Sequence, residues 1–523
     1  MASALSALQS WLAGALVLLL TMAVLLVGRL TWRRPAFPSS APRLLKGWPV
    51  IGSPGFFRAR SDFLRDCRAK SPDGQFSFYY GAHPIVAVSG PSARSSYYTT
   101  RGLDVTSGFS ALIAASPNVD HLLKRDITAH FTLMIKRFLQ KHRLAANLHH
   151  LTTDTDVALR KISTLSAVEP FDVMINLVYQ LTHRTLGSND VAADPRLLAE
   201  TLAAYGRMDC SSAIEVMFPG LPTPNKLRKM WAGAKLHWTF KKIMDDRRKT
   251  GRREPDAMQE MMDQGDKDVM ISSIIMASLF AGLINSGFNA AWILCFLSND
   301  PHWYAELRAE VDAAVSKHRL SEDETAADIL PRLSIEEWET EFPLIDLGLR
   351  DSIRMITPGA SIRKNISGKD IKIGDTGRVI PNNTFVVYPF DDAHMNDQLY
   401  KDPTKWDPGR YLSGREEDKR APHAFVGWGS GLHPCCELCQ FDSRELVQFA
   451  KLEITISTAM FMAYYDFTRC DKHGNATAEP LPNINRNAIG AKRPAANVFL
   501  KCSPRFEFVN GKQKGGNVAG RGG

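Results

Sequence analysis

The sequence predicts a mainly α-helical body with small β-sheets, preceded by one N-terminal transmembrane helix. Three observations lead to this prediction. An uncharged, mostly apolar run occupies residues 11–28, amphipathic stretches with few glycines and prolines fill residues 117–350, and glycine, proline and β-branched residues become frequent from residue 357. Amphipathic stretches of helical period predict helices, whereas short β-branched runs between turn residues predict strands.

The overall composition describes a large globular chain. Of its 523 residues, 44% are hydrophobic and 23% are charged, which is ordinary for a protein with a packed core. The net charge of +9 is spread over the whole length without a dense basic stripe, so we expect no nucleic-acid partner. Eight cysteines do not make a disulfide framework in so long a chain, and we expect reduced thiols.

The apolar run "WLAGALVLLLTMAVLLVG" (residues 11–28) approaches the length that a membrane-spanning helix needs. Arg29, Arg33 and Arg34 follow it directly, whereas no lysine or arginine precedes it. A cleaved signal peptide has the opposite order, and positive charge stays on the cytoplasmic side of a membrane. We therefore predict a single-pass signal anchor over residues 1–30, contact with membrane lipid, and a body that faces the cytoplasm.

Three further segments complete the predicted organisation. Residues 31–55 are rich in proline, which forbids a continuous helix and predicts a stiff hinge. Residues 56–509 form the predicted catalytic domain. The glycine-rich residues 510–523 are expected to be a disordered tail.

Four stretches of the catalytic domain predict particular elements. Residues 76–90 alternate in part and end in glycine, which predicts a strand or hairpin, and residues 370–389 predict short strands joined by turns. Residues 268–300 are apolar on all sides and predict a helix through the middle of a helical domain. Residues 300–318 open with aspartate and proline, good N-cap and first-turn residues, and predict the next helix.

Three of the eight cysteines crowd into the stretch "GWGSGLHPCCELCQFDSRELVQFAK" (residues 427–451), as Cys435, Cys436 and Cys439. A structural zinc or iron–sulfur site needs a second close ligand pair, and the sequence has nothing like one nearby. A redox CxxC motif needs a thioredoxin-like βαβ setting, which the sequence pattern does not predict. A single thiolate on a haem iron fits the stretch better.

The loop before these cysteines suits a haem ligand. Gly427, Gly429 and Gly431 give the backbone the freedom to direct N–H groups at a sulfur atom. His433 is placed to reach a carboxylate of the cofactor, and a helix that starts after the cysteine directs its positive end at the thiolate.

Five features, in order, resemble one family, the cytochrome P-450 haem-thiolate monooxygenases, in particular the fungal microsomal type. The resemblance covers essentially the whole chain and implies the cytochrome P-450 fold and the endoplasmic reticulum as the membrane. The matching segments are the anchor with its hinge, Ala281–Gly282 at the Ala-Gly-x-x-Thr motif, "DSIR" (351–354) at Glu-x-x-Arg, "WDPGRY" (406–411) at Phe-x-Pro-x-Arg-Phe, and "WGSGLHPC" (428–435) at Phe-Gly-x-Gly-x-(Arg/His)-x-Cys.

The resemblance assigns the cofactor site residue by residue. It implies haem b, with Cys435 as the axial thiolate and metal ligand, and with His433 and Arg363 on the haem propionates. Arginine and histidine suit a porphyrin that carries carboxylates. The rest of the matching haem loop is implied to bind the cofactor as well, through Trp428, Gly429 and Gly431.

A second implied group is structural. Asp351, Arg354 and Arg410 match a buried acid–arginine–arginine triad that holds the segment before the haem loop. A buried guanidinium needs a carboxylate that accepts two hydrogen bonds, so the residue types agree with this role. Asp351 stands where the family usually has glutamate, one methylene longer; the ion pair is still expected.

The predicted oxygen-binding helix departs from the family pattern. Asn285 and Ser286 stand where the usual threonine pair lies, and Ile284 stands where the acid lies. Asparagine can hold a water molecule, and a serine hydroxyl can relay a proton, so we name Asn285 and Ser286 as candidate catalytic residues. An asparagine at this position resembles the branch of the family with bile-acid hydroxylases and prostacyclin synthase, and that branch includes an isomerase that needs no electrons. The alternative is that Asn285 only satisfies a distortion of the helix.

The stretch after the haem loop departs as well. Relatives that resemble this chain run from the cysteine through about four residues, with glycine at the second, into "FAKLE". Here thirteen residues, 436–448, separate Cys435 from Phe449, and Glu437 takes the place of the glycine. A carboxylate beside a thiolate is repelled. Either the loop bulges away from the haem or the stretch is a gene-model error.

These features lead to one main functional hypothesis and two alternatives. The resemblance implies a membrane-anchored haem-thiolate monooxygenase, supplied with electrons from NADPH by an NADPH-cytochrome P-450 reductase, that hydroxylates an apolar small molecule in fungal secondary-metabolite biosynthesis. Phe280, Phe288 and Thr357 are implied to face the substrate. The alternatives are a haem-thiolate isomerase or dehydratase that needs no reductase, and a pseudoenzyme that has lost its haem.

Overall fold

Helices dominate the middle of the chain, and short strands lie on both sides of them in sequence. The computed structural model describes residues 2–32, 34–108, 127–208, 212–217, 221–434, 444–488 and 490–507. It confirms the predicted fold class, mainly α with small β-sheets. The α-helices of the described residues are α1 (Ala2–Trp32), α2 (Gly55–Arg58), α3 (Arg60–Ala69), α4 (Pro91–Thr99), α5 (Ile127–Phe138), α6 (Lys141–Ile162), α7 (Pro170–Leu186), α8 (Asn189–Ala193), α9 (Pro195–Met208), α10 (Ala213–Met217), α11 (Pro224–Thr250), α12 (Ala257–Asp263), α13 (Asp268–Leu297), α14 (Pro301–Lys317), α15 (Ala326–Ile329), α16 (Ile335–Thr340), α17 (Pro343–Ile356), α18 (Asp391–His394) and α19 (Arg444–Tyr464).

The strands are short, and three 3₁₀-helices accompany them. The strands are β1 (Phe76–Tyr80), β2 (His83–Ala87), β3 (Leu103–Asp104), β4 (Ala360–Asn365), β5 (Ile371–Lys372), β6 (Val379–Ile380), β7 (Phe385–Pro389), β8 (Gly429–Ser430), β9 (His433–Pro434), β10 (Tyr465–Cys470) and β11 (Phe499–Pro504). The 3₁₀-helices span Leu330–Arg332, Pro408–Tyr411 and Glu417–Lys419.

Side-chain caps fix several helix starts. Asp300 accepts a hydrogen bond from the Trp303 backbone N–H and opens α14, so the predicted helix over residues 300–318 is confirmed. Thr223 caps α11 in the same way through the Lys226 N–H. Each cap satisfies one of the N–H groups that the first turn of a helix leaves without a partner.

The central helix α13 confirms the predicted buried helix over residues 268–300. Two glycines allow α7 to approach it closely. A Cβ atom on Gly282 would lie 3.2 Å from the Thr182 side chain, and one on Gly287 would lie 3.3 Å from the Ile175 Cα atom. Larger residues at these positions would push the two helices apart.

One five-stranded sheet, in the order β1-β2-β7-β4-β3, lies beside the helical body. The predicted hairpin over residues 76–90 is the antiparallel pair β1–β2, and residues 370–389 contain β5, β6 and β7, as predicted. The two faces of β4 differ. Ile362 packs into the apolar cluster around Phe56, whereas Ser361 accepts a hydrogen bond from the Tyr97 hydroxyl at 2.8 Å and Arg363 stacks on the same ring.

The N-terminal helix α1 contains the predicted membrane anchor. Its side chains from Trp11 to Leu26 are exposed, and this apolar segment is shorter than α13 and α19. Those two helices are long and apolar enough to cross a membrane, but 62% and 78% of their most apolar stretches are buried in the fold. Such burial is typical of core helices.

Residues 34–54 contain no helix, in agreement with the prolines of the predicted hinge. Arg34 fastens this segment to the body, since its guanidinium donates to the Val50 carbonyl at 2.6 Å and to the Gly81 carbonyl at 3.0 Å. The predicted tail, residues 510–523, lies outside the described residues. Four cysteines among the described residues form no disulfide: Cys67, Cys295, Cys470 and Cys502.

Candidate active site

The last turns of α17 place Asp351 and Arg354 one turn apart with no exposed side-chain surface. The Arg354 guanidinium donates to both oxygens of the Asp351 carboxylate, at 2.6 Å and 3.2 Å. Burial opposes the charge of Arg354, but the Asp351 carboxylate outweighs burial and raises the pKa of Arg354. Asp351 therefore reaches its arginine in spite of its short side chain.

Arg354 also binds the backbone of residues 394–405. Its two terminal nitrogens donate to the carbonyls of His394 at 2.9 Å, Pro403 at 2.5 Å and Lys405 at 3.1 Å. A buried guanidinium that donates to a carboxylate and to three carbonyls leaves few of its N–H groups unsatisfied. It thereby fixes the course of residues 394–405.

Arg410 has a different main partner from the one predicted. Its Nε atom lies 3.7 Å from the nearer Asp351 oxygen, whereas its Nη1 atom donates to Glu417 at 2.8 Å. The structure thus brings Asp351, Arg354 and Arg410 together and adds Glu417, which sequence reasoning missed. The tyrosine that follows Arg410 donates its hydroxyl to Asp351 at 3.0 Å.

His394 connects this cluster to the glycine loop. Its carbonyl accepts from Arg354, and its Nε2 atom accepts the Val426 backbone N–H at 3.0 Å. Burial, followed by the charges of nearby arginines, lowers the pKa of His394 well below its usual value, so the ring is neutral and able to accept. The position of Val426 therefore depends on the arginine cluster.

The glycine loop lies against α4 and α17. Gly429 and Gly431 have φ angles of +71° and +63°, a backbone conformation that favours glycine. Leu432 donates its N–H to the Tyr98 carbonyl at 3.0 Å, and a Cβ atom on Gly431 would collide with that carbonyl. Trp428 is partly buried against the helical core.

The loop ends in the small hairpin β8–β9, in which Ser430 pairs with His433. The His433 side chain and residues 435–443 lie outside the described residues, and these include the predicted ligand Cys435, the alternative metal pair and Glu437. The description resumes at Arg444, where α19 begins. Of the residues that separate Cys435 from Phe449, the described ones, 444–448, are therefore helical.

Arg363 lies beside the loop with a guanidinium that the described residues only partly satisfy. It is fully buried, donates from Nη1 to the Tyr97 carbonyl at 2.5 Å and stacks on the Tyr97 and Tyr98 rings at 4.5 Å and 5.1 Å. Its Nε and Nη2 atoms have no hydrogen-bond partner among the described residues. Two unsatisfied donors of one planar guanidinium suit a carboxylate.

Helix α13 presents its predicted residues in two directions. The Asn285 side chain is exposed although its helix is largely buried. Its carbonyl accepts from the Asn289 side chain at 2.8 Å. Phe280 and Phe288 are partly buried against the helical core, and the Phe288 ring lies 6.2 Å from the ring of Phe171 on α7.

Ser286 points elsewhere, toward a buried carboxyl group on α19. Thr182 of α7 donates its hydroxyl to the Glu453 carboxyl at 3.0 Å, and the Ser286 hydroxyl faces the same carboxyl. Burial raises the pKa of Glu453 well above its usual value, although both hydroxyls oppose the shift. Sequence reasoning missed Glu453. The available signal was an acidic residue within a predominantly apolar helical pattern.

The predicted substrate-facing Thr357 ends α17. It is partly buried, and its carbonyl accepts from the Arg486 guanidinium at 3.3 Å. Arg486 also donates to the Met355 carbonyl and to the Asp391 carboxylate. Arg486, in the C-terminal part of the chain, therefore fixes the turn after α17.

Comparisons with known proteins give the family. The family model described as cytochrome P450 matches residues 42–473. The chain is 30% identical to the cytochrome P450 monooxygenase AacuE of Aspergillus aculeatus over 472 residues, 88% of this chain and 92% of that protein. It is 31% identical to the cytochrome P450 monooxygenase nsrP of Aspergillus novofumigatus over 498 residues, 91% of this chain and 92% of that protein.

A solved structure agrees in fold. Retinoic acid bound cyanobacterial CYP120A1 superposes with a TM-score of 0.64 at 20% identity, over 90% of this chain and 100% of that one. The chain belongs to the cytochrome P450 family and is a monooxygenase of that family, as the sequence motifs indicated. The family binds haem through a cysteine thiolate and receives electrons from a redox partner. The unsatisfied N–H groups of Arg363 fit a haem propionate.

Proposed function

We propose that this chain is a membrane-anchored monooxygenase that hydroxylates an apolar small molecule. Two electrons from NADPH, delivered by an NADPH-cytochrome P450 reductase, and two protons accompany each O₂. One oxygen atom enters the substrate and the other leaves as water. The observation that supports the proposal most directly is the buried, unsatisfied Arg363 beside the glycine loop that leads to Cys435.

The residues of the loop and its surroundings would hold haem b. We assign Cys435 as the axial thiolate, and His433 and Arg363 as partners of the propionates. Gly429 and Gly431 allow the loop to lie close to the cofactor. When bound, haem supplies the activation of O₂, and the protein supplies positioning and the exclusion of water.

The chain's own polar residues near the site then have separate tasks. Asn285 has an exposed side chain on the otherwise largely buried α13, and its amide can hold a water molecule or a polar group of the substrate. Ser286 belongs to the buried group around Glu453. We therefore assign Asn285, rather than Ser286, to contact with the reacting molecules, together with Phe280, Phe288 and Thr357.

The anchor and the relatives suggest a setting. The exposed apolar segment of α1, followed directly by arginines, supports a single span of the endoplasmic reticulum membrane with the catalytic body in the cytoplasm. The similarity to Aspergillus monooxygenases supports a role in fungal secondary-metabolite oxidation. The apolar substrate would reach the site from the membrane or the cytoplasm.

The test combines a haem spectrum with a measurement of the NADPH and O₂ consumed and the product formed. The full chain is reconstituted with a fungal reductase in vesicles, and its reduced, CO-bound Soret band is recorded. A thiolate-type band, with NADPH, O₂ and product in equal amounts, is the expected result. Turnover of an organic hydroperoxide without NADPH, in the absence of reductase-dependent product, would favour the isomerase alternative, which Asn285 motivates. Failure to bind haem would favour the pseudoenzyme.

A further inference from the structure

Three tyrosine rings pack against one another beside the glycine loop. They are Tyr97 and Tyr98 of α4 and Tyr388 of β7, and at most 1% of each residue is exposed. The ring centroids lie 5.0 Å apart for Tyr97 and Tyr98, 5.6 Å apart for Tyr97 and Tyr388, and 5.5 Å apart for Tyr98 and Tyr388. Because every ring contacts the other two, the three residues form one group, which we call the tyrosine cluster.

The tyrosine cluster adjoins the guanidinium that is assigned to a haem propionate. Arg363 lies over the Tyr97 ring at 4.5 Å and over the Tyr98 ring at 5.1 Å. Its Nε and Nη2 atoms, which have no hydrogen-bond partner among the described residues, are the groups assigned to the propionate. With haem bound there, only this guanidinium would stand between the propionate and the two tyrosine rings.

Two hydroxyl groups of the tyrosine cluster donate to different kinds of acceptor. Tyr97 donates to the Ser361 hydroxyl at 2.8 Å, whereas Tyr388 donates to the Asp392 carboxylate at 2.8 Å. Burial, followed by the charge of Asp392, raises the pKa of Tyr388 well above its usual value, so the phenol keeps its proton. Tyr388 is therefore a protonated phenol with a base beside its proton.

A phenol that donates to a carboxylate is a side chain that gives up an electron readily. Removal of one electron makes the phenol a far stronger acid, and its proton can move along the hydrogen bond to the carboxylate as the electron leaves. Because the proton leaves with the electron, no positive charge is created on the buried ring. The pair of Tyr388 and Asp392 thus has the chemistry of a one-electron donor.

Asp392 also connects the tyrosine cluster to the protein surface. Its carboxylate accepts the Gly90 N–H at 3.1 Å and pairs at 2.6 Å with Arg68, whose side chain is 45% exposed. Arg68, Ser89 and Gly90 line a surface depression of about 530 Å³. A small molecule in the solvent can therefore contact residues that are bonded directly to the carboxylate beside the Tyr388 phenol.

We propose that the tyrosine cluster is an electron-transfer site that protects the chain when its haem is oxidised and no substrate is bound. Tyr388 gives one electron through its neighbours in the cluster to the oxidised haem, and it gives its phenolic proton to Asp392. The haem is thereby reduced by one electron, and a neutral tyrosyl radical remains. A solvent reductant of the ascorbate or thiol class then returns one electron to the radical and releases a proton to the solvent, while Asp392 returns its proton to the phenol. The inference rests on the proposed function, because its oxidant is the haem of that site.

Tyr464 provides a matched control within the same chain. It is fully buried, like Tyr388, and its hydroxyl donates to the Asp156 carboxylate at 2.7 Å. Its ring lies 5.2 Å from the ring of Phe506 and does not belong to the tyrosine cluster. Y464F therefore removes the same kind of hydrogen bond as Y388F, but at another place in the fold.

The experiment detects the radical directly. The haem-loaded full chain, without substrate, NADPH or reductase, is mixed with peroxyacetic acid, frozen rapidly and measured by electron paramagnetic resonance. The native chain is expected to give a tyrosyl signal whose line shape changes when the chain carries ring-deuterated tyrosine. Y388F is expected to lose this signal and to lose its haem absorbance faster, whereas Y464F is expected to match the native chain. Ascorbate added after the peracid is expected to remove the signal from the native chain.

Two precautions make the outcomes decisive. The signal is expressed per bound haem, so a lower haem content in a variant does not change the comparison, and Y388F keeps the ring that packs in the cluster. A signal of native size in Y388F, or its loss in Y464F as well, would overturn the proposal. The reduced, CO-bound spectrum of the same preparation is recorded first. A thiolate-type Soret band without a tyrosyl signal would overturn this inference alone, whereas absence of haem would overturn the proposed function as well.

Discussion

Thr182 donates its hydroxyl hydrogen to Glu453 across 3.0 Å and joins two helices of the core at a carboxyl group with no exposed surface. The Ser286 hydroxyl faces the same group from α13. Three helices therefore meet at one acid, and burial raises the pKa of that acid well above its usual value. A neutral carboxyl group both donates and accepts hydrogen bonds, which a carboxylate cannot do.

The first prediction concerns the pH dependence that Glu453 causes. Its folded pKa is raised, whereas the unfolded chain ionises with a pKa of about 4.3. The contribution of Glu453 to stability is therefore greatest below the unfolded pKa and falls as the pH rises above it. E453Q, which is neutral at every pH, should melt at the same or a higher temperature than the native chain at neutral pH and should show a shallower loss of stability from pH 5 to pH 8.

The control for this measurement is E339Q on the protein surface, where the Glu339 carboxylate accepts a hydrogen bond from the exposed Lys141 and its side chain is 36% exposed. Its melting curve should keep the native pH dependence. A large fall in the melting temperature of E453Q at neutral pH would mean that Glu453 is ionised in the fold, contrary to the prediction.

The second prediction concerns the ion pair of Asp351 and Arg354. D351N keeps the size of the side chain but leaves two buried guanidinium groups with less negative charge. Removal of one partner of a buried pair lowers the free energy of unfolding by about 3–5 kcal/mol. We expect D351N to lose most of its haem and to unfold at much lower urea concentration. E200Q breaks the exposed pair of Arg196 and Glu200 and should change stability little. Similar unfolding curves for the two variants would contradict the importance of the Asp351 pair.

Much of the fold could be predicted because its signals are local. The hairpin over residues 76–90 follows from alternation and a terminal glycine, and α14 follows from Asp300 before a proline. The buried course of α13 follows from its uniform apolarity. These patterns operate within one element, so they do not depend on which distant segments fold against it.

The partners of the site residues could not be predicted because they depend on tertiary contacts. The carboxylate closest to Arg410 is that of Glu417. Glutamate is ordinarily a surface residue, and Glu417 stands in a charged stretch of the sequence. Arg60 stands among other arginines in "FFRAR", and only the fold shows that it is buried and Arg58 exposed. The family motifs identified Arg354 and Arg363 but contained no information about Glu417, Glu453 or Arg60.

The third prediction concerns Gly431. G431A adds a Cβ atom that would collide with the Tyr98 carbonyl, on a backbone with φ +63°. G414A is a matched control, because Gly414 has φ +88° but nothing within 4 Å of an added Cβ atom. Both variants should lose about 1–2 kcal/mol through backbone strain. Only G431A should lose more and also release haem, as measured by urea unfolding and by haem content.

The fourth prediction separates the three cysteines of the haem loop. Only Cys435 follows the glycine loop at the spacing of a thiolate ligand, and the loop is held by Tyr98 and by Val426 through His394. C435S should therefore abolish the thiolate-type Soret band of the reduced, CO-bound protein, because a serine hydroxyl does not ionise at neutral pH to replace a thiolate. C436S and C439S should keep the band. Loss of the band in C436S with retention in C435S would contradict this prediction, because the thiolate ligand would then be Cys436. It would also show that the added residues 436–448 change the course of the loop.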